Sequence, residues 1–277
     1  MIDFIYLFIF ILLITFFIVV IKIFGASEKK DNKINYDNSD LTIANTIYSI
    51  LLYPIWFVIF IFTCFTFFPI VMLTKPKFIS PIVRAFGRLL LFGFGVILKI
   101  EGKEKLKRKK PYLLLFNHSS IIDIFILPSI TFKQVTALAA SYQFKLPIWG
   151  PIIKKYGIIP VERKNKNSAI KSVKYAQEKL KQGISVFISP EGTRTTSGQL
   201  NPFKKGPFHL AKGSKADILV VVFKGAFLAK RKTDWRIKPG VIEVMVGDFI
   251  YYRDYKNLSV EDLKKLSWKK MNNLLDK

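Results

Sequence analysis

The chain has 277 residues, room for one α/β domain of about 200 residues plus membrane segments. It is 51% hydrophobic with 26 phenylalanines, too apolar for an ordinary soluble domain, and its net charge of +25 directs the surface toward anions. One cysteine, Cys64, and two histidines exclude a disulfide framework and a cysteine metal cluster and leave little scope for zinc.

Residues 4–21 carry no charge, and as a helix they reach about 27 Å, enough to cross a bilayer core. The start Met-Ile-Asp is not a basic signal-peptide opening, so an uncleaved anchor is expected. A polar linker follows over residues 26–40. The uncharged run 41–74 would reach about 51 Å as one helix, and Pro54 and Pro69 interrupt it. Either its middle forms one tilted span or the segment dips in and returns. Lys22, Lys29, Lys30 and Lys33 precede it, and Lys75, Lys77, Arg84 and Arg88 follow it. The positive-inside rule wants both flanks in the cytoplasm, which favours a re-entrant or interfacial segment. Residues 1–79 are therefore read as a membrane anchor and residues 80–277 as one domain on the cytoplasmic side.

Beyond a basic amphipathic helix from residue 82 and a strand from Val96, the chain reaches its most informative stretch, YLLLFNHSSIID. Tyr112–Phe116 reads as a buried strand, Asn117 to Ser120 as a polar turn, and Asp123 as the start of a short helix. A continuous helix would set His118 and Asp123 about 140° apart. They meet only if His118 lies in the turn and Asp123 in the first helical turn. A carboxylate on one imidazole nitrogen fixes the tautomer and frees the other nitrogen to take a proton from an alcohol.

Further elements alternate. Val135–Ala140 is a strand, 147–156 a helix ended by Gly157, and 158–161 a strand that delivers Glu162 and Arg163. Asn167 is read as the cap of a helix running to Gln182, with Gly183 as terminator. Strand 184–188 runs into Ser189-Pro190-Glu191-Gly192-Thr193-Arg194, and Lys204, Lys205 and Gly206 follow. Residues 206–212 are helical, 218–223 and Gly240–Ile250 are strands, and Ser259 with Asp262 opens a last helix. This alternation predicts an α/β fold, a mixed sheet flanked by helices and preceded by N-terminal hydrophobic membrane helices.

Arg163 and Arg194 offer planar forks suited to a phosphate monoester, and Gly192 with the Thr193 hydroxyl can complete an anion cradle. The sequence has no Walker loop and no Gly-x-Ser-x-Gly elbow, which disfavours a nucleoside triphosphate and a serine nucleophile. His209, inside a helix with no acid nearby in sequence, reads as structural.

Taken together and in order, these motifs resemble the 1-acylglycerol-3-phosphate acyltransferases of the glycerolipid acyltransferase family. The family's Asn-His-x-x-x-x-Asp block matches Asn117, His118 and Asp123; its glycine and arginine after an apolar strand match Gly157 and Arg163. Pro-Glu-Gly-Thr-Arg matches Pro190 through Arg194 at every position. The fourth block, an apolar strand with a proline, is met by 218–223 without the proline, a departure that touches the pocket wall rather than the chemistry.

The resemblance implies that His118 is the general base and Asp123 its orienter, in acyl transfer from a thioester to the free hydroxyl of lysophosphatidate, giving phosphatidate in phospholipid synthesis. It implies that Asn117, Gly157, Arg163, Glu191, Gly192, Thr193 and Arg194 bind substrate. No metal and no bound cofactor are expected; an acyl carrier protein or coenzyme A thioester is the co-substrate. The expected partners are lysophospholipid, membrane lipid and the acyl donor, with nucleic acid disfavoured because no base-stacking or helix-reading motif accompanies the charge. The alternatives are a same-family enzyme acting on another lyso-lipid and a non-catalytic membrane-tethered binder of anionic partners.

Overall fold

The computed structural model describes residues 41–162 and 165–277. The predicted span over residues 4–21 and the linker over 26–40 lie outside the described residues, as does Arg163.

Seven strands form one mixed sheet in the order β1-β7-β6-β2-β5-β3-β4. They are β1 (Val96–Glu101), β2 (Tyr112–Phe116), β3 (Val135–Ala140), β4 (Ile159–Val161), β5 (Ser185–Ile188), β6 (Asp217–Lys224) and β7 (Gly240–Ile250). Strands β6, β2, β5, β3 and β4 are mutually parallel; β7 pairs antiparallel with β6, and β1 pairs parallel with β7. The helices are α1 (Ile43–Leu73), α2 (Ser80–Gly93), α3 (Asp123–Ser129), α4 (Trp149–Tyr156), α5 (Lys166–Lys181), α6 (Gly206–Ser214) and α7 (Val260–Leu275). Single helical turns lie at Lys103–Leu106, Ala226–Ala229 and Tyr252–Tyr255, and 3-10 segments at Pro76–Phe78 and Ser141–Lys145.

The central strands are apolar through their middles, with polar residues such as Ser185, Asp217 and Lys224 at strand ends, because helices cover both faces. On β2, Tyr112, Leu114 and Phe116 point into one core while Leu113 and Leu115 point into the other. On β6, Leu219, Val221 and Phe223 join the first core and Ile218, Val220 and Val222 the second. The first core packs against α1, α2 and α3, and the second against α5, α6 and α7.

Residues 43–73 form one continuous helix with both prolines inside it, so the segment does not turn back on itself. Interior prolines remove a backbone hydrogen bond and destabilise a helix. Tertiary contacts flank Pro54 on both sides: the Tyr53 hydroxyl donates to the Trp235 carbonyl at 2.5 Å, and Trp56 Nε1 donates to the Leu90 carbonyl at 3.0 Å. The Trp56 ring also stacks on Phe94 at 4.3 Å. Beyond Pro69, Val71 is buried with Ile79 and Tyr156. By length and composition α1 is apolar enough to cross a membrane, yet only 22% of its most apolar window is buried. Its packed face carries Ser49, Tyr53, Trp56 and Val71, and its outer face presents Ile47, Leu51, Ile55, Val58, Phe62 and Phe65 to the surroundings.

One local expectation differs in detail. The cap of α5 is Asn165, whose side chain accepts from the Ser168 amide at 3.0 Å, and Asn167 is already helical. The geometry requires an acceptor three residues before a free amide, and Asn165 supplies it. Pro128 lies inside the last turn of α3, which ends at Ser129. The Ser259 opening of α7 is as read, with the Asp262 amide donating to Ser259 Oγ at 3.0 Å.

Candidate active site

In a parallel sheet the carboxyl ends of adjacent strands share one edge, and the turns that leave them converge there. Three neighbours, β5, β2 and β6, deliver residues 189–195, 117–123 and 225–239 to that edge.

The turn after β2 holds the pair anticipated from its spacing. His118 Nδ1 lies 2.8 Å from Asp123 Oδ2. The same oxygen accepts the Ser119 amide at 3.0 Å and the Ser120 amide at 3.1 Å. An oxygen that already accepts two N–H groups serves the imidazole as a third acceptor contact, which places the proton on Nδ1 and leaves Nε2 to accept. Asp123 is 1% exposed and His118 14%, so the acid is held inside while the ring reaches the opening. Ser120 Oγ donates to the Lys230 carbonyl at 2.7 Å and accepts the Ile122 amide at 3.2 Å, which commits that hydroxyl to the backbone.

The turn after β5 is tied to the same histidine at two points. Glu191, 2% exposed, accepts the His118 amide through Oε1 at 2.7 Å and the Asn201 amide through Oε2 at 2.9 Å. Burial pushes the Glu191 carboxyl up to about 7 against the pull of those two amides, with the Asp123 charge adding to the rise. The Thr195 amide donates to the His118 carbonyl at 2.8 Å. Gly192 adopts φ +70°, and a Cβ there would stand 3.0 Å from the Lys204 side chain, so both the backbone conformation and the lysine crossing above it favour glycine. Thr193 and Arg194 are half-buried on this turn.

Asn117 is buried, and its Oδ1 accepts the Phe223 amide at 2.8 Å, joining the end of β2 to β6. Gly157 is not brought to this edge. It ends α4 at φ +97°, and its carbonyl accepts Thr136 Oγ1 at 2.7 Å near the start of β3. Sheet register sets it about five residues below His118, or about 17 Å along the strands. His209 is exposed on α6.

An apolar cavity of about 210 Å³ extends from the pair into the first core. His118 and Asp123 form part of its lining, and Phe60, Thr63 and Phe67 of α1 form another wall. Phe86 and Leu90 of α2 and Tyr156 of α4 close further sides. Sequence reading missed this chamber, although positions 60, 63 and 67 follow a helical spacing that marks one face of α1. It also missed Asn201 and residues 225–239, where no motif stands out in a chain rich in lysine.

The sequence profile of the family described as Acyltransferase matches residues 97–224. A 1-acyl-sn-glycerol-3-phosphate acyltransferase from Cocos nucifera is 34% identical over 57% of this chain and 51% of the relative. Another of that name, from Limnanthes douglasii, is 32% identical over 65% of this chain and 64% of the relative. The chain thus spans between half and two thirds of the length of these curated relatives. The crystal structure of the 1-acyl-sn-glycerophosphate acyltransferase PlsC from Thermotoga maritima superposes with a TM-score of 0.73 at 20% identity. That match covers 84% of this chain and 97% of the other, and it shows a shared fold.

Proposed function

We propose that the chain, whose residues 97–224 match the family described as Acyltransferase, transfers an acyl group from a thioester to the free glycerol hydroxyl of lysophosphatidate, forming phosphatidate. The observation that carries this reading is the His118–Asp123 pair at 2.8 Å on the wall of an apolar cavity, with the Arg194 turn bonded to the same histidine. Nε2 of His118 takes the hydroxyl proton as the oxygen attacks the thioester carbonyl. The new C–O bond forms, the C–S bond breaks, and the thiolate leaves with the proton returned by the imidazolium. No acyl-enzyme is required, in keeping with the Ser120 hydroxyl being engaged by the backbone.

Arg194, with Gly192, Thr193 and Arg163, holds the acceptor's phosphate so that its hydroxyl stands at His118. Positioning of this kind can supply about 7–11 kcal/mol of the barrier. The cavity takes the hydrocarbon chain, and a thioester of acyl carrier protein or coenzyme A is the co-substrate. The outer face of α1, a stripe of Ile47, Leu51, Ile55, Val58 and Phe62, rests in the bilayer interface while its other face stays on the domain. Both lipids of the reaction live there. The basic flanks of α1 favour the cytoplasmic side.

An acceptor panel tests the proposal. Purified protein with labelled acyl thioester is expected to acylate lysophosphatidate in preference to glycerol 3-phosphate and neutral lyso-lipids. Equal use of all acceptors, or consumption of thioester with no acceptor present, refutes it.

A further inference from the structure

The sequence NPFKKG sets two lysines side by side, and the fold gives them different surroundings. Lys205 stands at the start of α6, and its ammonium pairs with Glu261 Oε2 of α7 at 3.4 Å, so its charge is taken up between two helices. Lys204 reaches back over the turn after β5. Its amide donates to the Pro190 carbonyl at 2.8 Å. Its stem crosses Gly192, where a Cβ would stand 3.0 Å from Cδ and Cε and 3.1 Å from Nζ. The ammonium is therefore held against the backbone of the Gly192-Thr193-Arg194 turn, and among the described residues it makes no ion pair and no hydrogen bond.

The loop that carries Lys204 is fastened to the turn of His118. The Asn201 amide donates to Glu191 Oε2 at 2.9 Å, and Glu191 Oε1 accepts the His118 amide at 2.7 Å. Glu191, the acid of this turn, thus has both oxygens on backbone amides. Phe203 is buried and stacks on Phe208 of α6, which anchors the residue just before Lys204. The root of the lysine is fixed on both sides, and its charge lies beside the turn read as the anion cradle.

A phosphate monoester at pH 7 carries nearly two negative charges on three free oxygens. An arginine fork binds two of those oxygens. The third oxygen and the second charge call for another cation on the same turn, and a lysine supplies it as a point charge. A phosphodiester, with one charge and two free oxygens, is already satisfied by the fork.

We infer that Lys204 is a specificity-determining residue of the acceptor site: with Arg194 it grips a phosphate monoester from the Gly192 side of the turn, and it thereby selects lysophosphatidate over lyso-lipids that carry a phosphodiester. This deepens the proposed function and rests on its reading of Arg194 as the phosphate ligand. A lysine whose stem only covered Gly192 would give way to methionine with no effect on acceptor choice.

The test compares lysophosphatidate with the phosphodiester lysophosphatidylglycerol in wild type, Lys204→Met, Lys204→Arg, Lys205→Met and Arg194→Ala. Each acceptor is read as a half-saturation concentration or, where it is not turned over, as an inhibition constant. The acyl thioester is titrated alongside. Methionine keeps the stem over Gly192 and removes the charge. Lys204→Met should raise the lysophosphatidate value about tenfold and the phosphodiester value less than about twofold. Lys204→Arg should keep the wild-type preference within about threefold, Lys205→Met should leave it unaltered, and the donor value should stay constant throughout. An unchanged preference in Lys204→Met, an equal loss for both acceptors, or a rise in the donor value in place of the acceptor's overturns the inference. If Lys204→Met does not fold, Lys204→Gln is read in the same way. An Arg194→Ala variant with unaltered lysophosphatidate affinity removes the phosphate reading itself. A raised value there beside an unchanged preference in Lys204→Met removes only the role of Lys204.

Discussion

The Thr195 amide donates to the carbonyl of His118 at 2.8 Å, so the residue next to Arg194 is joined by backbone to the residue proposed as the base. A hydroxyl and a phosphate on one small molecule need such a fixed separation between the group that takes the proton and the group that grips the anion. Replacing Arg194 by Ala should therefore raise the half-saturation concentration of lysophosphatidate by about 10–100-fold, the loss of one charged hydrogen-bonding group. Steady-state kinetics with each substrate varied in turn checks this, and the donor's value should not move.

Glu191 predicts a slope in stability. Its carboxyl is raised to about 7 in the folded protein against 4.5 as the ordinary value. The native state therefore binds more protons than the unfolded one between those values. The stability gained by holding that proton is fully present below about 4.5 and is lost as pH rises through about 7. Melting temperatures in detergent should fall across this window for wild type, and Glu191→Gln should lack that part of the slope.

Much of this fold was legible because its central strands are apolar without interruption and end in polar turns. Tyr112–Phe116 and residues 184–188 lead directly into the His118 and Arg194 turns, so the pairing of the two motifs follows once the strands are known to be adjacent and parallel. Sequence did not disclose that adjacency, since register between strands is a tertiary property. The continuity of α1 was hidden for a related reason. Pro54 argues locally for a break, and contacts with the domain, among them the hydrogen bonds of Tyr53 and Trp56, overrule it. Gly157 carries a family motif at sequence level, yet its structural work is to end α4 in a left-handed conformation at the opposite end of β4.

The cavity predicts chain-length selection. Thr63 is buried at 4% exposure on the α1 wall. Thr63→Phe fills part of the chamber, at a stability cost of about 1–3 kcal/mol, and should shift donor preference toward shorter acyl thioesters. A donor series of increasing length, read as kcat/KM, is the measurement; an unshifted profile would place the hydrocarbon elsewhere.

Asp217 sits at the other end of the sheet and bears on folding. Burial alone would raise its carboxyl, but the Tyr252 amide at 2.8 Å, Arg108 at 2.7 Å and Lys110 at 3.2 Å outweigh burial and hold it below the usual 3.8. Its contribution is present above that unfolded value and disappears as pH falls through the lower folded one. Asp217→Asn should cost about 1–3 kcal/mol at pH 7, with the gap to wild type closing in strong acid. Denaturant titrations at pH 7 and pH 3 read the difference.

The most direct test concerns His118 itself. Transfer of a labelled acyl group to lysophosphatidate should be measured for wild type and His118→Ala with both substrates saturating. Loss of about 10²–10⁴-fold in kcat, with both half-saturation concentrations kept, is the outcome this account requires. Phosphatidate formed by the alanine variant at the wild-type rate would contradict it.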